Sequence, residues 1–438
     1  MHTQITQDTY TDGASEGNEW VADVFNISQF TKVAFAGKNS DGSLNYADRR
    51  HLKKALLDFA ISQQPDGRVK AHHPSDRFDL HWFIEDFAAL WVMSNRNYFE
   101  MTKDASILDD TWTPIKKQME WFKSKVTAKG LIQGREWMTF DNPYAYKVGE
   151  GATMNAIVYK AFLDASYLAT LMGDFVTAAD YAAFASQMKI AFNVNFWNRG
   201  EETFNGMIEG EPSTHVAVMS LFTGIVSDEH RASVSEWLLH RTQKKIIYPL
   251  VHLFWFKDLY EMNNDQADQQ VLSIIRSQYG NKWNALNAGF LTSEGCKSGR
   301  NFHNFGMVPG YYMSAYILGV RTQGPAWEKK VLIEPRLGDL EFASGIVSTE
   351  NGPVTVSWDR GTAPSENKKE LKFSVKVPAT VTARIGVPFH GQPKDLVVNG
   401  EKVIENGVAK SNLVRITPRF IYLENLTAPE YTGILTAY

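Results

Sequence analysis

Cysteine is almost absent. Cys296 is the only one in 438 residues, so no intrachain disulfide can form. No apolar run reaches ~18 residues, so no membrane-spanning helix is expected. Basic runs are missing and the formal net charge is −4, which leaves no bias toward nucleic acid. No apolar signal core precedes Thr9. A cytoplasmic location is therefore expected, or a periplasmic one if the N-terminus from Met1 to Gln7 was trimmed. His72, His73 and His81 match no standard zinc spacing, and no cofactor motif stands out. Neither metal nor cofactor is expected. A nucleophilic role for Cys296 would need an activating base, and only His303 lies near it in sequence.

What is present points to a folded, soluble protein. Apolar residues make up 44% and charged residues 21%. The chain is too long for one simple core, so two domains are expected. Aromatics are plentiful, with 12 Trp, 17 Tyr and 26 Phe. Many must fill the core, but such side chains also stack on the apolar faces of sugars.

Helical spacing dominates the first three-quarters. Leu52, Ala55, Leu56, Phe59 and Ala60 make one face; Ile115, Met119, Phe122 and Val126 make another. From Met154 to Met172 the three-four spacing holds over five turns and stops at Gly173. Further helical runs are predicted near 85–101, 214–224, 230–241, 248–261, 266–279 and 305–318. From about Val331 the period changes to two. Val354, Val356 and Trp358 alternate, as do Phe373, Val375 and Val377, with turns at Asn351-Gly352 and Asn399-Gly400. The reading is a mainly α protein: a helical domain over 1–323, then an antiparallel β-sandwich over 324–438.

Two stretches collect chemistry. Between Asp12 and Asp23 stand four carboxylates, Asp12, Glu16, Glu19 and Asp23, with Trp20 among them. A helix N-terminus attracts acids through its dipole, which explains one or two of the four. The second stretch, Thr292 to Tyr312, sits where helical spacing gives way to strand spacing. It holds Glu294 and His303 on a glycine-bounded loop, a common place for catalysis.

Beyond that loop the residues become specific. Pro309-Gly310-Tyr311-Tyr312-Met313, Val331-Leu332-Ile333-Glu334-Pro335-Arg336-Leu337-Gly338-Asp339-Leu340 and Gly352-Pro353-Val354-Thr355-Val356-Ser357-Trp358 resemble the C-terminal half of bacterial α-L-rhamnosidases, glycoside hydrolase family 78. The resemblance reaches back over most of the chain and is densest from Phe302 to Trp358. It implies an (α/α)6 barrel followed by a β-sandwich. It also implies hydrolysis of terminal rhamnose with inversion, by two Glu residues.

The family's acid segment reads Asp-Gly-x-x-Arg-Glu-Arg-x-x-Trp-x-x-Asp. Trp20-Val21-Ala22-Asp23 matches its end, and four residues before Trp20 stands Glu16, which the resemblance makes the general acid. Asp12-Gly13 matches its opening with one residue missing; Ser15 and Gly17 replace the two arginines, and Glu19 competes for the acid role. The base segment, Gly-x-Thr-Thr-x-x-Glu, is matched by Gly289 to Glu294, one residue shorter. Glu294 is thereby implied as the base and His303 as a sugar contact. Asp141 resembles the Asp of the family's Asp-Trp loop, with Asn142 in place of the Trp. Asp86 falls where the family often has an acid near the sugar.

The chemistry suits these residues. One protonated carboxyl protonates the leaving oxygen, and one carboxylate activates water, roughly 6.5–9.5 Å away in an inverting enzyme. Asp12 and Asp23 would keep Glu16 protonated by like-charge repulsion. Trp20, Trp82 and Trp137 offer apolar platforms for the sugar. The expected partner is a carbohydrate. Two alternatives stand beside a rhamnosidase: a related barrel glycosidase acting on another terminal sugar, and a non-catalytic glycan-binding protein.

Overall fold

The apolar spacing of the first part of the chain becomes a double ring of helices. The computed structural model describes residues 4–6, 9–11, 19–30, 32–35, 37–38, 44–45, 49–73, 83–134, 140, 149–207, 210–241, 249–282, 304–360 and 369–437. Its helices are α1 (Val21–Phe30), α2 (Arg49–Ile61), α3 (Glu85–Thr102), α4 (Ile107–Lys123), α5 (Ala152–Leu171), α6 (Phe175–Phe196), α7 (Thr214–Thr223), α8 (Asp228–Arg241), α9 (Pro249–Glu261), α10 (Asp265–Ile274) and α11 (Val308–Tyr312). α10 runs on into π-helical turns at Ile275–Lys282. α11 follows a 3-10 turn at Asn304–Met307 and passes into π turns at Met313–Ile317.

The odd-numbered helices pack each on the next, and α11 returns to α1, so six helices close an inner ring. The even-numbered ones lie outside it. Composition decides which is which. α5 is apolar on nearly every face and buries Met154, Ile157, Val158, Ala161, Phe162, Ala165 and Leu168 among others. α6 buries only Ala178, Tyr181, Ala185, Met188, Phe192 and Phe196, a single stripe at three- and four-residue spacing. Side chains cap some helix starts, though Ser106 before α4 makes no capping bond. Asp174 accepts from the Thr177 amide at 3.2 Å, and Asn264 from the Ala267 amide at 2.8 Å. Gly173 at φ 72° stops the α5 run in the left-handed conformation that favours glycine.

The C-terminal part is two packed sheets. The smaller has the order β2 (Val320–Thr322), β3 (Lys330–Ile333), β7 (Thr382–Pro388), β12 (Phe420–Leu426), β11 (Val414–Ile416). The larger runs β10 (Val408–Ala409), β9 (Glu401–Glu405), β8 (Pro393–Val398), β13 (Glu430–Ala437), β6 (Lys369–Lys376), β5 (Gly352–Asp359), β4 (Phe342–Thr349), β1 (Ala34–Phe35). Alternate residues fill the space between them: Val354, Val356 and Trp358 from β5, and Ala383, Ile385 and Val387 from β7. Asn399-Gly400 forms the β8–β9 turn, with φ 48° and 87°. The pairing is antiparallel except for β3 with β7, Val331 opposite Ala383, which three intervening strands of the other sheet make possible. β1 comes from the helical half, immediately after α1, and pairs with Val347 and Ser348 of β4. Among the described residues no helix is long and apolar enough to cross a membrane.

Candidate active site

The N-terminal ends of the inner helices meet at one end of the ring. The two residues entering α1 pair with the segment after α2, Glu19 opposite His73 and Trp20 opposite His72. The Val21 amide donates to the Ala71 carbonyl at 3.0 Å. Phe140, which precedes α5, donates its amide to Asp86 Oδ2 at 3.1 Å, in the first turn of α3. The Ala152 amide at the start of α5 reaches the Gly206 carbonyl, in the chain leading to α7, at 3.1 Å. Phe140 also packs edge-on against Phe254 of α9, 5.7 Å between centroids, and Phe254 stacks on Phe25 of α1 at 6.0 Å. Connections far apart in sequence thus converge here.

This end is acidic and aromatic. Glu19, Asp23, Glu85 and Asp86 are all buried, none more than 5% exposed. Asp23 lies in the first turn of α1, and Glu85 and Asp86 in that of α3, where the helix dipole favours carboxylates. The Trp20 ring lies 4.8 Å from His72 and meets Phe87, next to Asp86, edge-on at 6.5 Å. Trp20, Asp23 and Asp86, three residues singled out from the sequence, therefore share one corner between α1 and α3. Asp12, Glu16, Trp82, Trp137, Asp141, Glu294, Cys296 and His303 lie outside the described residues, as does His81. In chain order Glu16 precedes α1, Trp137 and Asp141 precede α5, and Glu294 and His303 precede α11.

Sequence reading missed part of this corner. Glu85 passes for an ordinary helix-start acid, yet it is as buried as its neighbour Asp86. Phe140 is one aromatic of many, and only the tertiary contact reveals its amide as the Asp86 partner. The paired histidines face different partners. His72 is a ring partner of Trp20, whereas His73 brings Nδ1 to 3.9 Å from Asp58 Oδ2. Glu19, Asp58 and His73 each offer a ligand atom, all within 4.8 Å of one another. Asp58 is also ion-paired with Lys54, one turn earlier in α2.

An inner ring of helices wrapped by outer partners, with a β-sandwich behind it and buried acids at one mouth, defines a helical-barrel protein of the six-hairpin glycosidase type. A family model described as the bacterial alpha-L-rhamnosidase 6 hairpin glycosidase domain matches residues 10–249, and one for the bacterial alpha-L-rhamnosidase C-terminal domain matches 319–402. The chain belongs to the bacterial α-L-rhamnosidase family.

An α-L-rhamnosidase of Alteromonas sp. (strain LOR) is 25% identical over 393 residues, covering 80% of this chain and 39% of that protein. The chain thus spans about two-fifths of that relative's length. Among solved structures, an α-L-rhamnosidase from Dictyoglumus thermophilum superposes with TM-score 0.72 at 18% identity, over 96% of this chain and 46% of that one. A family 78 rhamnosidase of Bacillus sp. GL1 gives 0.71 at 20% identity, over 87% and 40%. The Streptomyces avermitilis α-L-rhamnosidase, solved with L-rhamnose, gives 0.68 at 17% identity, over 98% and 39%. These structural likenesses establish the shared fold.

Proposed function

We propose that this chain is a glycoside hydrolase that removes terminal α-L-rhamnose with inversion, with Glu16 as general acid and Glu294 as general base. The observation that carries the reading is the convergence of inner-helix N-termini on a mouth lined by buried acids and aromatics. Glu16, Asp141, Glu294 and His303 each precede one of those helices in the chain, which supports a common site at the same mouth. Family membership and the names of the relatives support the sugar.

In this reading Glu16 gives its proton to the leaving oxygen while Glu294 takes one from the attacking water. The sugar's positive charge in the transition state is met by the carboxylates of Asp86 and Asp23. Trp20 and Trp137 take the apolar ring face and methyl group, and Asp12, Asp141 and His303 bind the hydroxyls.

One feature favours a second reading. Ser15 and Gly17 stand where the family's acid is flanked by arginines, which fits a glycan-binding relative without turnover. A panel of p-nitrophenyl glycosides, with proton NMR of the first-formed product, decides between them. The expected outcome is turnover of the α-L-rhamnoside with β-L-rhamnose appearing first. An α-anomer as first product would overturn inversion, and turnover confined to another glycoside would overturn the sugar. Binding of rhamnosides without turnover of any would establish the second reading.

A further inference from the structure

In the chain, residues 283–303, which include Glu294, join two described segments, the stems. Each stem contains π-helical turns, Ile275–Lys282 on one side and Met313–Ile317 on the other. Such turns are common at functional sites and lack the regular helical ladder, so their geometry depends on what holds them. Barrel contacts reach both, Tyr279 to His252 at 3.0 Å and Tyr316 stacked on Tyr260 at 4.4 Å, and the β-sandwich supplies a second set of holds.

On the first stem, Arg419 of the β11–β12 turn donates to Asp265 Oδ1 at 2.5 Å, Asp268 Oδ2 at 2.8 Å and Asn263 Oδ1 at 3.1 Å. Arg336 reaches the same Asn263 oxygen. Arg276, inside the π turns, makes a two-bond pair with Asp339 at 2.6 and 2.8 Å, and Gln269 adds a third bond to that carboxylate at 3.0 Å. On the second stem, the Arg336 amide donates to the Tyr316 carbonyl at 2.8 Å, Arg321 to that of Ala315 at 2.7 Å, and Trp358 Nε1 to that of Ile317 at 3.0 Å. These satisfy carbonyls at a helix end, which need partners from outside. Glu334 ties the two sets together, accepting from Arg321 at 2.8 Å and Tyr422 at 2.5 Å and pairing with Arg336 at 3.1 Å. Gly319 lets the strands close on this knot: a Cβ there would stand 2.4 Å from the Glu334–Pro335 peptide.

We infer that the loop from Glu334 to Asp339, with Arg321 and Arg419, is a clamp that fixes both stems and thereby positions Glu294. These are positioning residues, and the sandwich is a working part of the barrel. The inference rests on Glu294 being the base.

Arg276→Ala is the test. The Arg276–Asp339 pair is about half-exposed, at 51% and 45%, so its loss should hardly move the melting temperature. The clamp predicts a roughly tenfold lower kcat on p-nitrophenyl α-L-rhamnoside with KM nearly unchanged, since small displacements are costly in catalysis. It also predicts faster amide hydrogen exchange in 275–282 and 304–317. Exchanging the two charges, Arg276→Asp with Asp339→Arg, should restore both. Lys376→Ala breaks an equally exposed sandwich pair with Glu430 and should change neither. Arg276→Ala with wild-type kcat and wild-type exchange would overturn the clamp. Faster exchange together with a fully active Glu294→Gln would keep the clamp and overturn the base. On a chain that turns over no glycoside, the exchange result decides alone.

Discussion

The two ends of the helical ring carry their charges in different settings. Toward the C-terminal ends of the inner helices the charges are cations and their own counter-ions. Arg96 of α3 pairs with Asp164 of α5 at 2.7 Å and with Glu100 at 2.9 Å, and Lys160 pairs with the same Asp164. Lys32, half-buried beyond α1, donates to Asn97 at 2.9 Å, and burial holds its ammonium down to about 8. At the N-terminal ends the charges are the acids Glu19, Asp23, Glu85 and Asp86, set among Trp20, His72, Phe87 and Phe140. The helix dipole favours acids in the first turns of α1 and α3, where Asp23, Glu85 and Asp86 stand; no basic residue occupies the last turn of α1, α3 or α5. The dipole does not explain why the acids are buried with aromatic rings, an arrangement that costs desolvation and is typical of functional sites. One end ties neighbouring helices together through ion pairs, and the other is the end to which the proposed site is assigned.

Paired substitutions sharpen that contrast. Asp86→Asn keeps the shape and weakens the hold on the Phe140 amide. It should lower kcat/KM by about 10²-fold with little change in melting temperature, because misplacement at a reacting end is expensive. Arg96→Ala at the opposite end should leave kcat/KM within about twofold. It removes one of the two cations on buried Asp164 and the contact over Tyr167, 4.3 Å from the ring centroid, and should cost about 2–3 kcal/mol of stability by urea unfolding. If the two variants exchange phenotypes, the ends have been assigned the wrong way round.

Asp258 in α9 makes the smallest case. Its carboxyl is 4% exposed, and neither oxygen has a hydrogen-bond partner among the described residues. Burial pushes it well above the usual carboxylate range, and Glu261 adds to this while Lys257 and Arg231 oppose it. The folded chain therefore keeps a proton that the unfolded chain releases above about pH 4. Stability falls as pH rises from there through the folded value. Asp258→Leu should be about 1–3 kcal/mol more stable than wild type at pH 7, with the gain shrinking toward pH 4. A gain that does not vary with pH would show that Asp258 is ionised in the fold.

The periodicities carried much of this architecture. The spacing from Met154 onward is α5, and the alternation of Val354, Val356 and Trp358 is β5, because each reflects one buried face. Features made by long-range pairing left no period. The two-residue strand Ala34–Phe35, the parallel β3–β7 pair and the π turns from Ile275, inside a run predicted as one helix over 266–279, could not be read from local pattern. At the site, Asp86 was legible through its resemblance to a family position, and the structure gives it a partner in Phe140. The burial of Glu19 and Glu85 was not legible, since an acid at a helix start reads as solvated until the opposite element is known. The Glu334-Pro335-Arg336 motif enters the sequence reading only as part of the family resemblance; the bonds of Arg336 to Asn263 and to the Tyr316 carbonyl show a junction between the halves.

The central claim is that two carboxylates at the N-terminal mouth divide acid and base work, and one comparison addresses it. Turnover of p-nitrophenyl α-L-rhamnoside and of a rhamnoside with a poor leaving group is measured for wild type, Glu294→Gln and Glu16→Gln, each checked for folding. Glu294→Gln should lose ~10²–10⁴-fold or more on both substrates, because the water has no base. Glu16→Gln should lose as much on the poor leaving group and far less on p-nitrophenol, which needs little protonation. A fully active Glu294→Gln, or an unaffected Glu16→Gln beside a dead Glu19→Gln, would contradict the assignment.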